Sequence, residues 1–158
     1  MLNESMTANI APQQLSQRDP FGEARIRVRY AETDQMGLVY YANYLIWFEI
    51  GCVEWMRQSG FDYKRMEVED DCFIPVVEAT CRYKAPARYD DELIIQTEAT
   101  VLRGYIVKFS YKLLRANDRQ LLAEGETTHV VTDRAMQRRV LPEKYAEAFQ
   151  TTRRVDRS

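Results

Sequence analysis

The segment Tyr30-Ala31-Glu32-Thr33-Asp34-Gln35-Met36-Gly37-Leu38-Val39-Tyr40-Tyr41-Ala42-Asn43-Tyr44 sets a carboxylate, Asp34, a few residues ahead of an apolar run that reads as a helix. Backbone N–H groups in the first turn of a helix have no intrahelical partner, and the helix dipole reinforces them, so they can hold a developing oxyanion. A carboxylate nearby supplies a base or a nucleophile. That pairing is what acyl transfer or hydrolysis requires. Gly37 suits a point where the backbone turns sharply or approaches a substrate closely. Spacing alone weighs this evenly against a plainer reading, in which Asp34 caps a turn and Gly37 permits it.

Other chemistry is poorly supplied. Cys52, Cys72 and Cys81 are widely spaced with no CxxC, and His129 is the single histidine, so neither a zinc site nor a disulfide framework is expected. A Cys/His nucleophile pair is disfavoured because nothing places His129 beside a cysteine. In the last strand-like run, His129 reads as a hydrogen-bonded structural residue. Glu49 stands alone among apolar helix residues and reads as a buried, paired structural carboxylate rather than a catalytic one. With 22 Lys+Arg against 24 Asp+Glu, the formal charge of -2 offers no general positive field for nucleic acid. No run approaches the roughly eighteen apolar residues of a membrane span, and the first residues lack the basic-then-apolar pattern of a signal peptide. A cytoplasmic protein is the simplest reading.

The elements that must position Asp34 follow from periodicity. At 158 residues with 46% hydrophobic content, one domain with a single core is expected. Residues 1–20 are polar, include Pro12 and Pro20, and show no period, which predicts a disordered tail ahead of a domain spanning 21–150; residues 151–158 form a charged C-terminal tail. From Ala24, apolar Ala24, Ile26, Val28 and Tyr30 alternate with Glu23, Arg25, Arg27 and Arg29, a strand with one wet face. Asn43 to Ser59 is apolar around nearly its whole circumference and stops at Gly60, so this helix must be covered on most sides, as by a sheet wrapped around it. Four further strands are expected near Phe73 to Ala85, Glu92 to Leu102, Tyr105 to Leu114 and Gln120 to Thr132. Short connections at Arg103-Gly104 and Ala116-Asn117-Asp118-Arg119 suit antiparallel neighbours. A short helix near Pro142 to Gln150 closes an α+β domain. Exposed outer strand edges and an uncovered helix side favour self-association.

The motif Thr33-Asp34, Gly37, Val39-Tyr40, Asn43-Tyr44 and Trp47-Phe48-Glu49 resembles that of hotdog-fold acyl-CoA thioesterases of the 4-hydroxybenzoyl-CoA thioesterase type. The resemblance continues through Pro75-Val76-Val77-Glu78, Cys81-Arg82-Tyr83, Pro86-Ala87-Arg88-Tyr89-Asp90-Asp91 and Ala123-Glu124-Gly125, covering roughly residues 24–142. It implies a five-stranded antiparallel sheet wrapped around one long central helix, in homodimers or tetramers with active sites at the subunit interface. Asp34 matches the family's catalytic aspartate, as nucleophile or as base directing water, with Gly37 in the same loop. Tyr41 would donate its backbone N–H to the thioester carbonyl; many members carry His there, and the backbone role is independent of the side chain. Some hotdog enzymes take their carboxylate from the helix, which keeps Glu49 as the second choice.

Within this resemblance Arg88 first, then Arg82 and Lys84, with Arg138 and Arg139 behind, would grip coenzyme A phosphates, although charged strand faces are commonly just solvated. Tyr30 and Val39 of the motif join the expected substrate-binding set, and Trp47 or Tyr44 would line an acyl pocket besides serving the core. The expected reaction is hydrolysis of an acyl-CoA, with acyl carrier protein conjugates as an alternative substrate. Coenzyme A enters as part of the substrate, and no separate cofactor or metal is expected. Dehydratase chemistry on this fold generally pairs a His with an acid, and here the one His is remote from Asp34 in sequence. A non-catalytic acyl-binding subunit would not need the carboxylate.

Overall fold

The computed structural model describes residues 22–60 and 63–154. The expected disordered tail at 1–20 and the end of the C-terminal tail at 155–158 lie outside the described residues. Helix α1, Asn43–Gln58, buries Tyr44, Trp47, Phe48, Gly51, Cys52, Trp55 and Met56. These recur at three- and four-residue intervals, so they form one stripe along the helix. The helix ends as expected: Ser59 N–H reaches the Trp55 carbonyl at 2.9 Å, and Gly60 follows at φ +95°.

The stripe packs on a five-stranded sheet. Its strands are β1 (Gly22–Arg27), β2 (Val76–Tyr83), β3 (Glu92–Arg103), β4 (Ile106–Arg115) and β5 (Leu121–Val130), in spatial order β1-β3-β4-β5-β2 and antiparallel throughout. Alternation sets the two faces. Leu93, Ile95, Val107, Phe109, Tyr111, Leu113 and Ala123 are buried toward α1, whereas Lys112 turns outward. Gly51 lets the helix approach β3, since a Cβ there would stand 2.5 Å from Thr97 Oγ1 and 2.7 Å from an Ile95 methyl. Gly125 has the same role in β5, where a Cβ would collide with the Thr80 carbonyl and lie 2.5 Å from the Phe48 ring. Phe48 in turn stacks on Tyr111 at 4.6 Å.

Several details differ from expectation. Among the described residues the sheet covers less of α1 than the expected most sides, and Leu45, Ile46 and Ile50 are exposed on the expected uncovered side. Glu49 is exposed with them rather than buried and paired, because it falls on the side the sheet does not reach. Strand β1 stops at Arg27, and Tyr30–Glu32 form a 3₁₀ turn. A short helix α2, Tyr63–Glu69, which the pattern did not announce, is pinned by the fully buried Met66. The closing helix α3, Glu143–Arg154, runs four residues into the expected tail and sets Phe149 against Trp55 at 5.0 Å. Among the described residues, no helix is long and apolar enough to cross a membrane.

Candidate active site

The chain reverses between β1 and α1 through successive backbone bonds: Asp34 N–H to Leu38 O (2.7 Å), a bridge between Thr33 and Val39, and Tyr40 N–H to Glu32 O (2.8 Å). This ladder brings the start of α1 back alongside the residues that lead into Asp34. Gly37 turns the tip at φ +75°, and its N–H bonds the Asp34 carbonyl at 3.0 Å. A residue with a Cβ is strained in that left-handed conformation. Asp34 Oδ1 accepts the N–H groups of Met36 at 2.8 Å and Leu38 at 3.2 Å. The turn-capping reading therefore describes one carboxylate oxygen. Oδ2 has no donor among the described residues, so the half-buried side chain is oriented by one oxygen and presents the other.

Buried Glu32 anchors the loop from behind. Its carboxylate accepts the Arg29 backbone N–H at 2.8 Å and pairs the Arg29 guanidinium at 3.1 Å, and its carbonyl takes Asn43 Nδ2–H at 3.0 Å. At the mouth of α1, Asn43 N–H bonds Tyr40 O (3.0 Å), Tyr44 N–H bonds Tyr41 O (3.3 Å) and Leu45 N–H bonds Ala42 O (3.3 Å). The N–H groups of Tyr41 and Ala42 have no acceptor among the described residues, and the N-cap, Ala42, offers no side-chain cap. These are the orphan donors an oxyanion would use.

The expected binding residues separate. Arg88 bridges Leu38 in the loop itself; its backbone N–H is held by Asp91 Oδ2 at 3.0 Å, while its exposed guanidinium has no partner among the described residues. Asp91 is braced by Arg115, which also reaches the Pro86 carbonyl at 3.0 Å. Tyr30 is exposed beside Tyr89, edge to face at 5.7 Å. Val39 is buried in the core, with its N–H on the Ala87 carbonyl at 3.0 Å.

Arg82 lies on the outer sheet face in a shallow groove with Thr80, Ser110, Lys112, Glu124 and Glu126, and Lys84 pairs with Glu124 at 3.6 Å. Arg138 stacks over Tyr105 at 4.9 Å, and Arg139 donates to the carbonyls of Asp70 (2.7 Å) and Asp71 (3.0 Å). His129 is buried away from the loop. Its Nδ1 is 3.0 Å from the Ile74 carbonyl, which only accepts, so Nδ1 carries the proton; Nε2 then accepts from Thr127 Oγ1 at 2.8 Å. Burial lowers its pKa, consistent with a neutral structural imidazole. Cys52 is buried and its thiol is pushed up to about 12, mainly by burial. Among the described residues, no three or more His, Cys, Asp or Glu side chains come together as a metal site would require. Glu32 and Tyr83 are contacts that the sequence reading did not single out: Glu32 carries no distinguishing local pattern, and Tyr83 reaches Tyr41 across 42 positions.

This chain belongs to the thioesterase-like superfamily, whose family model matches residues 28–149. It is 37% identical over 125 residues to the acyl-CoA thioester hydrolase YbgC of Escherichia coli O6:H1, covering 78% of this chain and 92% of that protein. Among solved structures it resembles the hypothetical protein TT1821 from Thermus thermophilus, with a TM-score of 0.78 and 34% identity over 83% of this chain and 98% of that one. A 4-hydroxybenzoyl-CoA thioesterase bound to 4-hydroxybenzoyl-CoA shares the fold, with a TM-score of 0.75 and 20% identity over 82% of this chain and 99% of that one. The architecture is the hotdog fold of these thioesterases.

Proposed function

We propose that this protein hydrolyses acyl-CoA thioesters to the free acid and coenzyme A, with Asp34 as the reacting carboxylate. The observation that carries the reading is the division of labour at Asp34: Oδ1 is tied to the N–H groups of Met36 and Leu38, and Oδ2 is unclaimed. As a nucleophile, Oδ2 attacks the thioester carbon; the tetrahedral oxyanion collapses, the C–S bond breaks, the thiolate takes a proton, and water then cleaves the acyl-aspartyl anhydride. As a base, Oδ2 takes a proton from the water that attacks the same carbon. Both routes yield one carboxylic acid and one thiol. Both also build negative charge on the carbonyl oxygen; the Tyr41 N–H, which has no acceptor among the described residues, is the donor we assign to it. The chemistry needs neither a histidine nor a metal.

Arg88 is the phosphate-gripping residue of choice, since it alone of the expected basic residues lies in the loop ladder. The active form is a homodimer or a tetramer of dimers. Support comes from two exposed apolar features: β2, an edge strand with Val76 and Val77 exposed, and the uncovered α1 side bearing Leu45, Ile46 and Ile50. The free state of all three cysteines fits action in the reducing cytoplasm. The test is free-thiol release from short, long and aromatic acyl-CoAs. Turnover above the uncatalysed rate with at least one substrate is expected, and none with any would refute the reading.

A further inference from the structure

Tyr83 is the last residue of β2, on the face of the sheet that meets α1. Its ring packs edge to face on buried Tyr44 at 4.9 Å, and its hydroxyl donates to the Tyr41 carbonyl at 3.0 Å. Tyr44 is itself held, because the Ala87 N–H donates to its hydroxyl at 3.1 Å and the Ala87 carbonyl takes the Val39 N–H. The end of β2 and the loop after it therefore grip the 39–44 segment at three points. Of these three contacts, the Tyr83 hydroxyl's is the one on the Tyr41–Ala42 peptide.

That peptide sits where the oxyanion donors are. No peptide bond among the described residues is cis, so the carbonyl of the Tyr41–Ala42 unit and its N–H point in opposite directions. A donor on the carbonyl side consequently aims the Ala42 N–H outward and, by polarising the amide, strengthens it as a donor. The competing intrahelical bond to the same carbonyl, from Tyr44 N–H, is long at 3.3 Å, and no side chain caps this end of the helix.

We propose that Tyr83 is a positioning residue for thioester hydrolysis, its hydroxyl fixing and polarising the Tyr41–Ala42 peptide so that the Ala42 N–H meets the oxyanion as a second donor beside the Tyr41 N–H. The proposal rests on the Asp34 and Tyr41 reading of the site. Burial, with Cys81 alongside, pushes the Tyr83 phenol up to about 12, so it remains a donor throughout the neutral range. The exposed rings of Tyr40 and Tyr41, 4.6 Å apart, pack on each other and duplicate none of this.

Tyr83→Phe keeps the ring against Tyr44 and removes the donor. Its kcat on a reactive acyl-CoA should fall about tenfold, less than the roughly 10²- to 10³-fold cost of deleting an oxyanion donor outright. KM and melting temperature should stay close to wild type, since substrate contacts and packing are untouched. Replacing Tyr83 with 3-fluorotyrosine, which keeps both ring and hydroxyl, should restore kcat. A Tyr83→Phe kcat within about twofold of wild type beside an inactive Asp34→Asn overturns the proposal and leaves the site reading standing. An equal loss in the Phe and fluorotyrosine variants, following melting temperature, also overturns it. An active Asp34→Asn overturns the site reading and the proposal together.

Discussion

Replacing Asp34 by Asn tests the carboxylate with little disturbance of the loop around it. Asp34 Oδ1 accepts two backbone N–H groups, at 2.8 and 3.2 Å, and the carbonyl oxygen of an asparagine side chain can accept both. What changes is their strength: bonds to a charged acceptor contribute about 1.5–3 kcal/mol and neutral ones about 0.5–1.5. The loop should therefore lose on the order of 1–3 kcal/mol and stay folded. Held in that rotamer, the new amide places its NH₂ group where Oδ2 stood. It can neither attack a thioester carbon nor take a proton from water. Turnover should fall by roughly 10²- to 10⁴-fold, the contribution of a general base, and further if an acyl-aspartyl intermediate forms. That range corresponds to about 2.7–5.4 kcal/mol of transition-state stabilisation. Residual activity above background is expected, because the Tyr41 and Ala42 N–H groups are unaffected. The assay is kcat by thiol release at saturating acyl-CoA, with circular dichroism and thermal melting in parallel. A folded Asp34→Asn protein turning over within about threefold of wild type would refute the reasoning and shift attention to exposed Glu49.

Arg88→Ala should raise KM for acyl-CoA several-fold with little change in kcat and should matter less for a truncated thioester lacking the nucleotide, whereas Arg82→Ala on the outer sheet face should be nearly silent; equal effects of the two would count against the placement. Ile46→Glu puts a charge on the uncovered side of α1 and should shift light-scattering mass toward monomer at micromolar concentration with loss of turnover; an unchanged mass would move the interface elsewhere. His129 supplies a pH signature. Burial lowers its folded pKa, so the folded state binds fewer protons than the unfolded one, and stability is lost as pH falls below about 6.5, levelling off beneath the folded value. Urea midpoints should show this decline in wild type and a flatter profile in His129→Gln; identical profiles would contradict the neutral, doubly bonded imidazole.

Local rules made much of this protein legible from its residues. Alternation at Ala24, Ile26 and Val28 and the apolar run from Tyr44 to Met56 ending at Gly60 report the strand and the buried helix, although that run reads as apolar almost all round and only the structure shows which three- and four-residue stripe is buried. Gly60 and the Arg103-Gly104 turn declared the ends of elements as well. The motif around Asp34 pointed to the proposed chemistry, since carboxylate, glycine and helix start are contiguous in the chain. Short range failed wherever a neighbour distant in sequence chose among locally equal states. Alternation puts Arg82 of β2 and Lys84, just past its end, on one face, but only the packing of β5 and β4 decides that this face looks away from α1, where Lys84 meets Glu124. Glu49 sits amid apolar residues, yet the sheet covers a single stripe of the helix and leaves it outside. Helix α2 is too brief to impose a period and depends on burying Met66. At Asp34 only the tertiary structure divides the carboxylate: the loop claims Oδ1, and the folding of Leu38 back beside it leaves Oδ2 without a donor among the described residues, as the proposed catalytic role needs. Tyr83 is an ordinary strand tyrosine until antiparallel pairing with β5 brings its hydroxyl to the Tyr41 carbonyl, a contact no local pattern encodes because its partner is supplied by the fold.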